Sequence, residues 1–262
     1  MRAPLVFITG ASSGIGLALA GQYARAGWRL ALVARRTDVL DDWIRAQQLP
    51  AERVSVHAAD VREPDQIIGA ARRCLAEQGL PDVVIAAAGI SVGIDTAERS
   101  DLDVLQDTFA TNNLGLAATF HAFIAPMRAA RRGTLVGIAS MAAIRGLPGH
   151  GAYCASKAAV VNYCESLRVE LRGDGVRVVT ILPGFIDTPM TRGNPYRMPF
   201  LMPATHFAAV ALRVIGRGAR RAIIPWPMAL VALLLRVVPG SVYDRVIAGR
   251  GRKPRRSVTQ GS

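Results

Sequence analysis

The stretch from Tyr153 to Lys157 in "GAYCASK" sets a phenol and an ammonium four residues apart. On a helix, residues i and i+4 lie one above the other, so the two polar ends can converge on one point. A free tyrosine has a pKa of about 10 and is a poor acid or base at neutral pH. A cation held beside it favours the phenolate and draws that value toward the range of useful proton transfer. The pair reads as a tuned proton donor, against the alternative of an amphipathic helix carrying an ordinary surface lysine. Lys157 and Lys253 are the only two lysines in 262 residues, arginine supplying nearly all of the 32 cations, and that rarity weighs against a casual choice at 157.

The elements that must position such a pair are visible as an alternation. "PLVFITG" precedes a helical pattern over 14–27, "RLALVAR" one over 38–47, and "RVSVHAAD" one that begins after Pro64. Further on, "DVVIAAAG" leads into a long helical stretch over 102–130, "GTLVGIAS" into the tyrosine helix, and "VRVVTILPG" follows it. Near-continuous Val/Ile/Leu strands separated by helices are what a parallel sheet covered on both faces requires. The fold class is therefore α/β, a single Rossmann-type doubly wound domain with helices on both faces of a parallel sheet. Sites in that architecture lie at the carboxyl ends of the strands, where the first strand delivers "TGASSGIG". Glycines at such a place permit a tight turn and let backbone N–H groups and a helix N-terminus approach a pyrophosphate. A glycine-rich turn alone can be a plain connection; its place after the first strand of an alternating pattern points to a dinucleotide.

Taken in order, these motifs resemble the short-chain dehydrogenase/reductase family over residues 5–190. TGxxxGxG is Thr9 to Gly16, and Asp60-Val61 after the third strand matches the pair that borders the adenine. Asn112 in "TNNLG" matches the family's helix asparagine; Asn113 is the runner-up, but the spacing to Gly115 favours Asn112. Ser140 stands thirteen residues before Tyr153, Lys157 completes YxxxK, and Pro183, Gly184 and Thr188 in "PGFIDTPM" match the element that closes over the nicotinamide. The resemblance implies a catalytic set of Asn112, Ser140, Tyr153 and Lys157. With the residue readings it implies a cofactor-binding set of Gly10, Ser12, Ser13, Gly14, Ile15, Gly16, Arg35, Arg36, Asp60, Val61, Ala88, Gly89, Pro183, Gly184, Ile186 and Thr188, together with Tyr153 and Lys157, and no metal. It further implies hydride transfer between nicotinamide C4 and a carbonyl or alcohol carbon. Tyr153 would give the proton and Ser140 bind the substrate oxygen; Lys157 would tune the phenol and hold the ribose, and Asn112 would hold a water linking Lys157 to solvent. One departure stands out: the chain reads Ala86-Ala87-Ala88-Gly89 where the family usually carries an asparagine, which puts local rigidity in question.

An acid at the end of the second strand would repel a 2′-phosphate, whereas an arginine accommodates one. The chain has Ala34-Arg35-Arg36 there, so NADP(H) is favoured over NAD(H). Asp38 is the competing residue, but just after Thr37 it belongs in a first helical turn, where a carboxylate complements the dipole. Two rival functions share parts of this pattern. An epimerase or dehydratase relative would carry TGxxGxxG rather than TGxxxGxG, and a non-catalytic dinucleotide sensor would be expected to lack a catalytic side chain. His150, in the loop before the tyrosine, reads as pocket lining or a solvated side chain rather than a general base, and Cys154 reads as packing.

The segment over 187–204, "DTPMTRGNPYRMPFLMP", reads as a substrate lid that Met190, Tyr196, Met198, Phe200, Leu201 and Met202 make apolar and adaptable. That suits a bulky or lipophilic ketone or aldehyde, unless the same residues are only the lid's packing face. The three cysteines, without metal-ligand spacing, fit a reducing cytoplasm, and the amino terminus leaves no room for a cleavable signal. The net charge of +13 does not point to nucleic acid, because eleven Arg or Lys after residue 204, against Asp244 alone, supply +10 of it. The domain is expected over 1–249, with a basic, disordered tail over 250–262. The apolar run from Met228 to Val238, eleven residues, is too short to span a bilayer, which takes about 20 residues. It reads either as a helix buried in the domain or at a homodimer or homotetramer interface, or as a peripheral anchor with Arg245, Arg250, Arg252, Lys253, Arg255 and Arg256 drawn to anionic lipid.

Overall fold

The computed structural model describes residues 2–249 and 251–255. Along the chain, β1 (Leu5–Thr9), α1 (Gly14–Arg25), β2 (Arg29–Ala34), α2 (Asp38–Ala46), β3 (Val54–Ala58), α3 (Pro64–Glu77) and β4 (Val83–Ala86) alternate as the apolar runs require. They are followed by α4 (Arg99–Phe109), α5 (Gly115–Ala130), β5 (Thr134–Ile138), α6 (Gly151–Glu170) and β6 (Arg177–Pro183). A short parallel ribbon of β7 (Ile186–Asp187) and β8 (Met202–Pro203) brackets α7 (Pro189–Arg192), and α8 (Ala204–Gly216) leads to β9 (Arg221–Ile224). The main sheet is parallel throughout, in the order β3-β2-β1-β4-β5-β6-β9. The winding reverses between β1 and β4, which opens a crevice at their carboxyl ends.

Successive strand residues point to opposite faces, and both faces are covered. Leu5, Phe7, Val84, Leu135 and Val178 pack with Ile67 of α3, Phe120 and Phe123 of α5 and Val160 of α6. Val6, Ile8, Ile85, Val136 and Val179 pack with Leu19 and Tyr23 of α1, Leu40 of α2 and Phe207 of α8. Each such Leu, Ile or Phe contributes about 1.5–3 kcal/mol of burial. That two-sided demand is why the strands are continuously apolar.

The helical stretch expected over 102–130 is α4 and α5 joined by a single π turn, Ala110–Leu114. Such widened turns are rare and concentrate at functional positions. This one holds Asn112.

After β9 come α9 (Pro227–Val237) and α10 (Gly240–Ile247). No helix among the described residues is long and apolar enough to cross a membrane. The apolar run is only half buried in the domain. Met228 and Ala232 face inward, while Leu230, Leu233, Leu234 and Val237 are exposed. Residues 251–255, assigned to the tail in the expectation above, lie against the domain, where three carboxylates and two glycines provide a seat for them. Arg255 pairs with Asp101 (2.6 Å), Arg252 with Asp95 (3.5 Å), and the Gly93 N–H donates to the Pro254 carbonyl (3.0 Å). Arg250 and Arg256, also assigned to a lipid-binding tail, lie outside the described residues.

Candidate active site

The strand ends meet in a cleft of about 340 Å³, lined by the β1–α1 turn, the end of β2, Asp60 and Val61 after β3, Ala88 and Gly89 after β4, and Pro183 to Thr188 after β6. The glycine turn is a close-approach device. A Cβ on Gly16 would lie 2.1 Å from the Gly10 carbonyl oxygen, and one on Gly10, whose φ is +70°, would lie 2.6 Å from Ala88 Cα. Ser13 is the N-cap of α1, so the orphan N–H groups of the first turn open onto the same cleft. Gly10, Ser12, Gly14 and Ile15 line it as well. A cradle that a side chain would fill, at a helix N-terminus, fits a pyrophosphate.

At the other end, Arg35 and Arg36 follow β2. Asp60 is gripped by Arg62 (2.8 Å), whose guanidinium holds the carboxyl below its usual range, with Arg35 a further neighbour at 3.8 Å. The Arg35 side chain is two-thirds exposed (66%) and remains open to an anion. Asp38 sits in the first turn of α2 and does not line the cleft.

Three catalytic candidates come from the end of β5 and the start of α6. Ser140, just past β5, accepts from the Ala142 N–H (3.1 Å) and hydrogen-bonds the Tyr153 phenol. One helical turn on, Lys157 is buried, and its Nζ donates to the Ile138 carbonyl (2.9 Å) while lying 5.8 Å from the Tyr153 ring centre. Burial holds the ammonium down to about 8 and pushes the phenol up to about 12, against the opposing effect of Ser140. The expected lowering of the phenol by the cation does not appear: desolvation of the phenolate dominates, and the ammonium is turned to the strand end.

Asn112 does not line the cleft but stands behind it. Its amide accepts from the Ile90 N–H (2.8 Å) and donates to the Ile90 carbonyl (3.1 Å) and to Ser156 Oγ (2.9 Å). A Cβ on Gly89 would lie 3.2 Å from Asn112 Oδ1 and 3.3 Å from Lys157 Nζ, so glycine is what lets the loop pass between them. The missing asparagine after β4 thus leaves a loop braced from the opposite side. Asn113 instead donates to the Ser156 carbonyl (2.9 Å).

A second cavity, of about 180 Å³, opens beyond Tyr153. Ser140, Tyr153, Gly184, Met190 and Thr191 line both spaces and form the wall between them. Of the six apolar lid residues, only Met190 and Tyr196 face this cavity; Phe200 and Leu201 are exposed, and Met202 packs against the core from β8. His150 is buried in its wall and bonds Tyr196 Oη through Nε2 (3.0 Å). Sequence reasoning missed the far wall, made of Arg145, of Val231 and Leu235 on α9, of Tyr243 and Ile247 on α10, and of Lys253. The rarity of lysine was the one signal that could have found Lys253.

With this geometry in view, comparison with known proteins gives a consistent answer. Residues 4–197 match the family model described as short chain dehydrogenase. An uncharacterised oxidoreductase of Myxococcus xanthus is 38% identical over 237 residues, covering 90% of this chain and 93% of its own. A short chain dehydrogenase from Burkholderia cenocepacia, solved in complex with NADP, superposes with a TM-score of 0.81 at 24% identity, covering 94% of this chain and 98% of its own. An alcohol dehydrogenase from the archaeon Thermococcus sibiricus, complexed with 5-hydroxy-NADP, gives 0.73 at 26% identity over 85% of this chain and 96% of its own.

Proposed function

The chain belongs to the short-chain dehydrogenase/reductase family and is an NAD(P)-dependent oxidoreductase; from that premise we propose that it reduces a bulky or lipophilic ketone or aldehyde with NADPH, Tyr153 giving the proton. The observation that carries this reading is the shared wall: Ser140 and Tyr153 face both the glycine-lined cleft and the second cavity. A carbonyl in the second cavity meets a phenol that burial keeps protonated at neutral pH, which suits a donor. Ser140, fixed by the Ala142 N–H, orients the carbonyl oxygen. Lys157 supplies buried positive charge beneath the phenol as negative charge develops on it. Asn112 keeps the loop over Ile90 and the start of α6 in register. The bound dinucleotide supplies the hydride.

Arg35, exposed at the end of β2 with Ala34 in place of an acid, supports NADP(H) over NAD(H). The complex of the Thermococcus sibiricus enzyme with 5-hydroxy-NADP points the same way. The second cavity supports the substrate class, since its lining is mostly Met, Leu, Val, Phe, Pro and Tyr.

The outward face of α9 supports contact with an anionic membrane surface. Leu230, Leu233, Leu234 and Val237 form a stripe at helical spacing, 60–69% exposed, with Trp226 at its start (74%) and Arg236 and Arg245 nearby. The opposite stripe of the same helix, Met228, Val231 and Leu235, lines the second cavity. Because Arg252 and Arg255 already pair with carboxylates of the domain, apolar insertion carries more of this contact than the tail's charge does.

The test of the reaction is Tyr153→Phe against a panel of carbonyl compounds with NADPH. Turnover should fall by about 10²–10⁴ with NADPH affinity retained. Turnover within a few-fold of wild type would remove Tyr153 from the proton transfer.

A further inference from the structure

Residues 251–255 form a strap along the second cavity, whose wall includes Gly251 and Lys253, held by contacts specific enough to count as built. A Cβ on Gly93 would lie 2.1 Å from the Lys253 carbonyl oxygen, and one on Gly149, whose φ is +73°, would lie 3.1 Å from Arg252 Cβ. Asp101, itself buried, takes Arg255. What this seat delivers is Lys253. Its side chain lines the cavity, and its Nζ donates to Ser91 Oγ (2.9 Å).

The charges around that ammonium are unbalanced. No Asp or Glu lines the cavity, and among the described residues no carboxylate lies within ion-pair distance of Lys253. The neighbouring cation is already committed, since the Arg145 guanidinium donates to the carbonyls of Leu235 (2.9 Å) and Val238 (3.0 Å) and covers the Tyr243 ring at 4.1 Å. An ammonium has three donors, and the hydrogen bond to Ser91 uses one. A half-buried cation without a counter-charge in an otherwise apolar pocket is costly unless an anion joins it. Burial accordingly lowers its pKa. The chain's two lysines thus stand at the same site, Lys157 under the phenol and Lys253 in the substrate wall.

We propose that Lys253 is a specificity-determining residue that receives a carboxylate on the substrate, so that the pocket takes a carbonyl compound with an apolar body and a remote carboxylate. This rests on the second cavity being the substrate site. The binding test is independent of turnover: octanoate and its uncharged methyl ester are titrated into the full chain with NADP⁺ present. Octanoate should bind at least about tenfold (about 1.4 kcal/mol) tighter than the ester. Lys253→Met should erase the difference by weakening octanoate alone, and Lys253→Arg should keep most of it. The kinetic arm compares oxo-octanoate with its methyl ester. The acid should have the lower KM in the wild type only, the acid-over-ester ratio of kcat/KM falling toward one in Lys253→Met. Equal binding of acid and ester by the wild type, or a preference that survives Lys253→Met, would overturn the proposal. If octanoate is selected through Lys253 but neither oxo compound is reduced, the reaction proposed above fails while this inference stands.

Discussion

Lys157 hangs from the end of β5, its Nζ 2.9 Å from the Ile138 carbonyl, rather than reaching for the Tyr153 oxygen one turn away. The ammonium is thereby fixed to the sheet. Replacing it leaves a buried carbonyl without its donor, so Lys157→Met should lose about 1–3 kcal/mol of stability, measured by urea unfolding. It should also lose reduction by about 10²–10⁴.

The two directions of reaction should respond to pH differently. On the proposed mechanism, reduction needs the protonated phenol, which burial preserves well above neutrality, and it needs charged Lys157, whose ammonium burial holds down to about 8. Reduction should therefore be flat through neutral pH and decline above about 8 as the lysine discharges. Alcohol oxidation needs the phenolate and should rise with pH over the neutral range. Initial rates in both directions from pH 6 to pH 9 (roughly the span around neutrality) check this, and an oxidation rate that falls as pH rises would contradict it.

Arg35→Asp should flatten or reverse the proposed preference for NADPH. The new carboxylate repels a 2′-phosphate and can accept from a ribose hydroxyl. The ratio of kcat/KM for the two cofactors is the measurement; equal values in the unmodified enzyme would remove the basis of the assignment.

Asn112→Ala should orphan the Ile90 N–H and carbonyl together, at a cost of about 1–3 kcal/mol for a buried group left unpaired. Because Ile90 follows the loop that passes between Asn112 and Lys157, NADPH affinity should fall with stability. A variant with a normal unfolding midpoint would show that the π turn is held by other contacts.

For the α9 face, the measurement is co-sedimentation with vesicles rich in anionic lipid. A Leu230→Ser, Leu233→Ser, Val237→Ser variant should lose binding, while high salt, acting on Arg236 and Arg245 at about 1 kcal/mol each, should weaken it only in part. Truncating the chain after Ala248 is a poor control, because it also removes the strap that carries Lys253. No binding at low salt, with a concentration-dependent oligomer abolished by the same substitutions, would assign the face to a subunit interface.

The sheet and the site's central residues were legible because their signals are local. A buried parallel strand must be apolar along its length, and the glycine turn and the Tyr153–Lys157 spacing are short motifs with one geometric meaning each. What depends on contacts between distant residues was not. Nothing near Asn112 announces a π turn, which follows from its amide meeting Ile90 and Ser156. The direction of the Tyr153 shift was misjudged because spacing reveals proximity but not burial, and burial dominates. The arginines of the last segment read as free charge because their partners, Asp95 and Asp101, lie more than 150 residues earlier.

The strap also orders events during synthesis. The dinucleotide cleft is lined by residues up to Thr191, whereas the second cavity is finished only by Lys253. A ribosome adding about 5–20 residues each second exposes the nucleotide-binding half several seconds before the wall proposed to select the substrate. Trimming by a protease, or a fusion that pulls residues 251–255 from their seat, acts on that last-made wall. Such a clipped enzyme would keep its coenzyme and its proton donor while losing its discrimination.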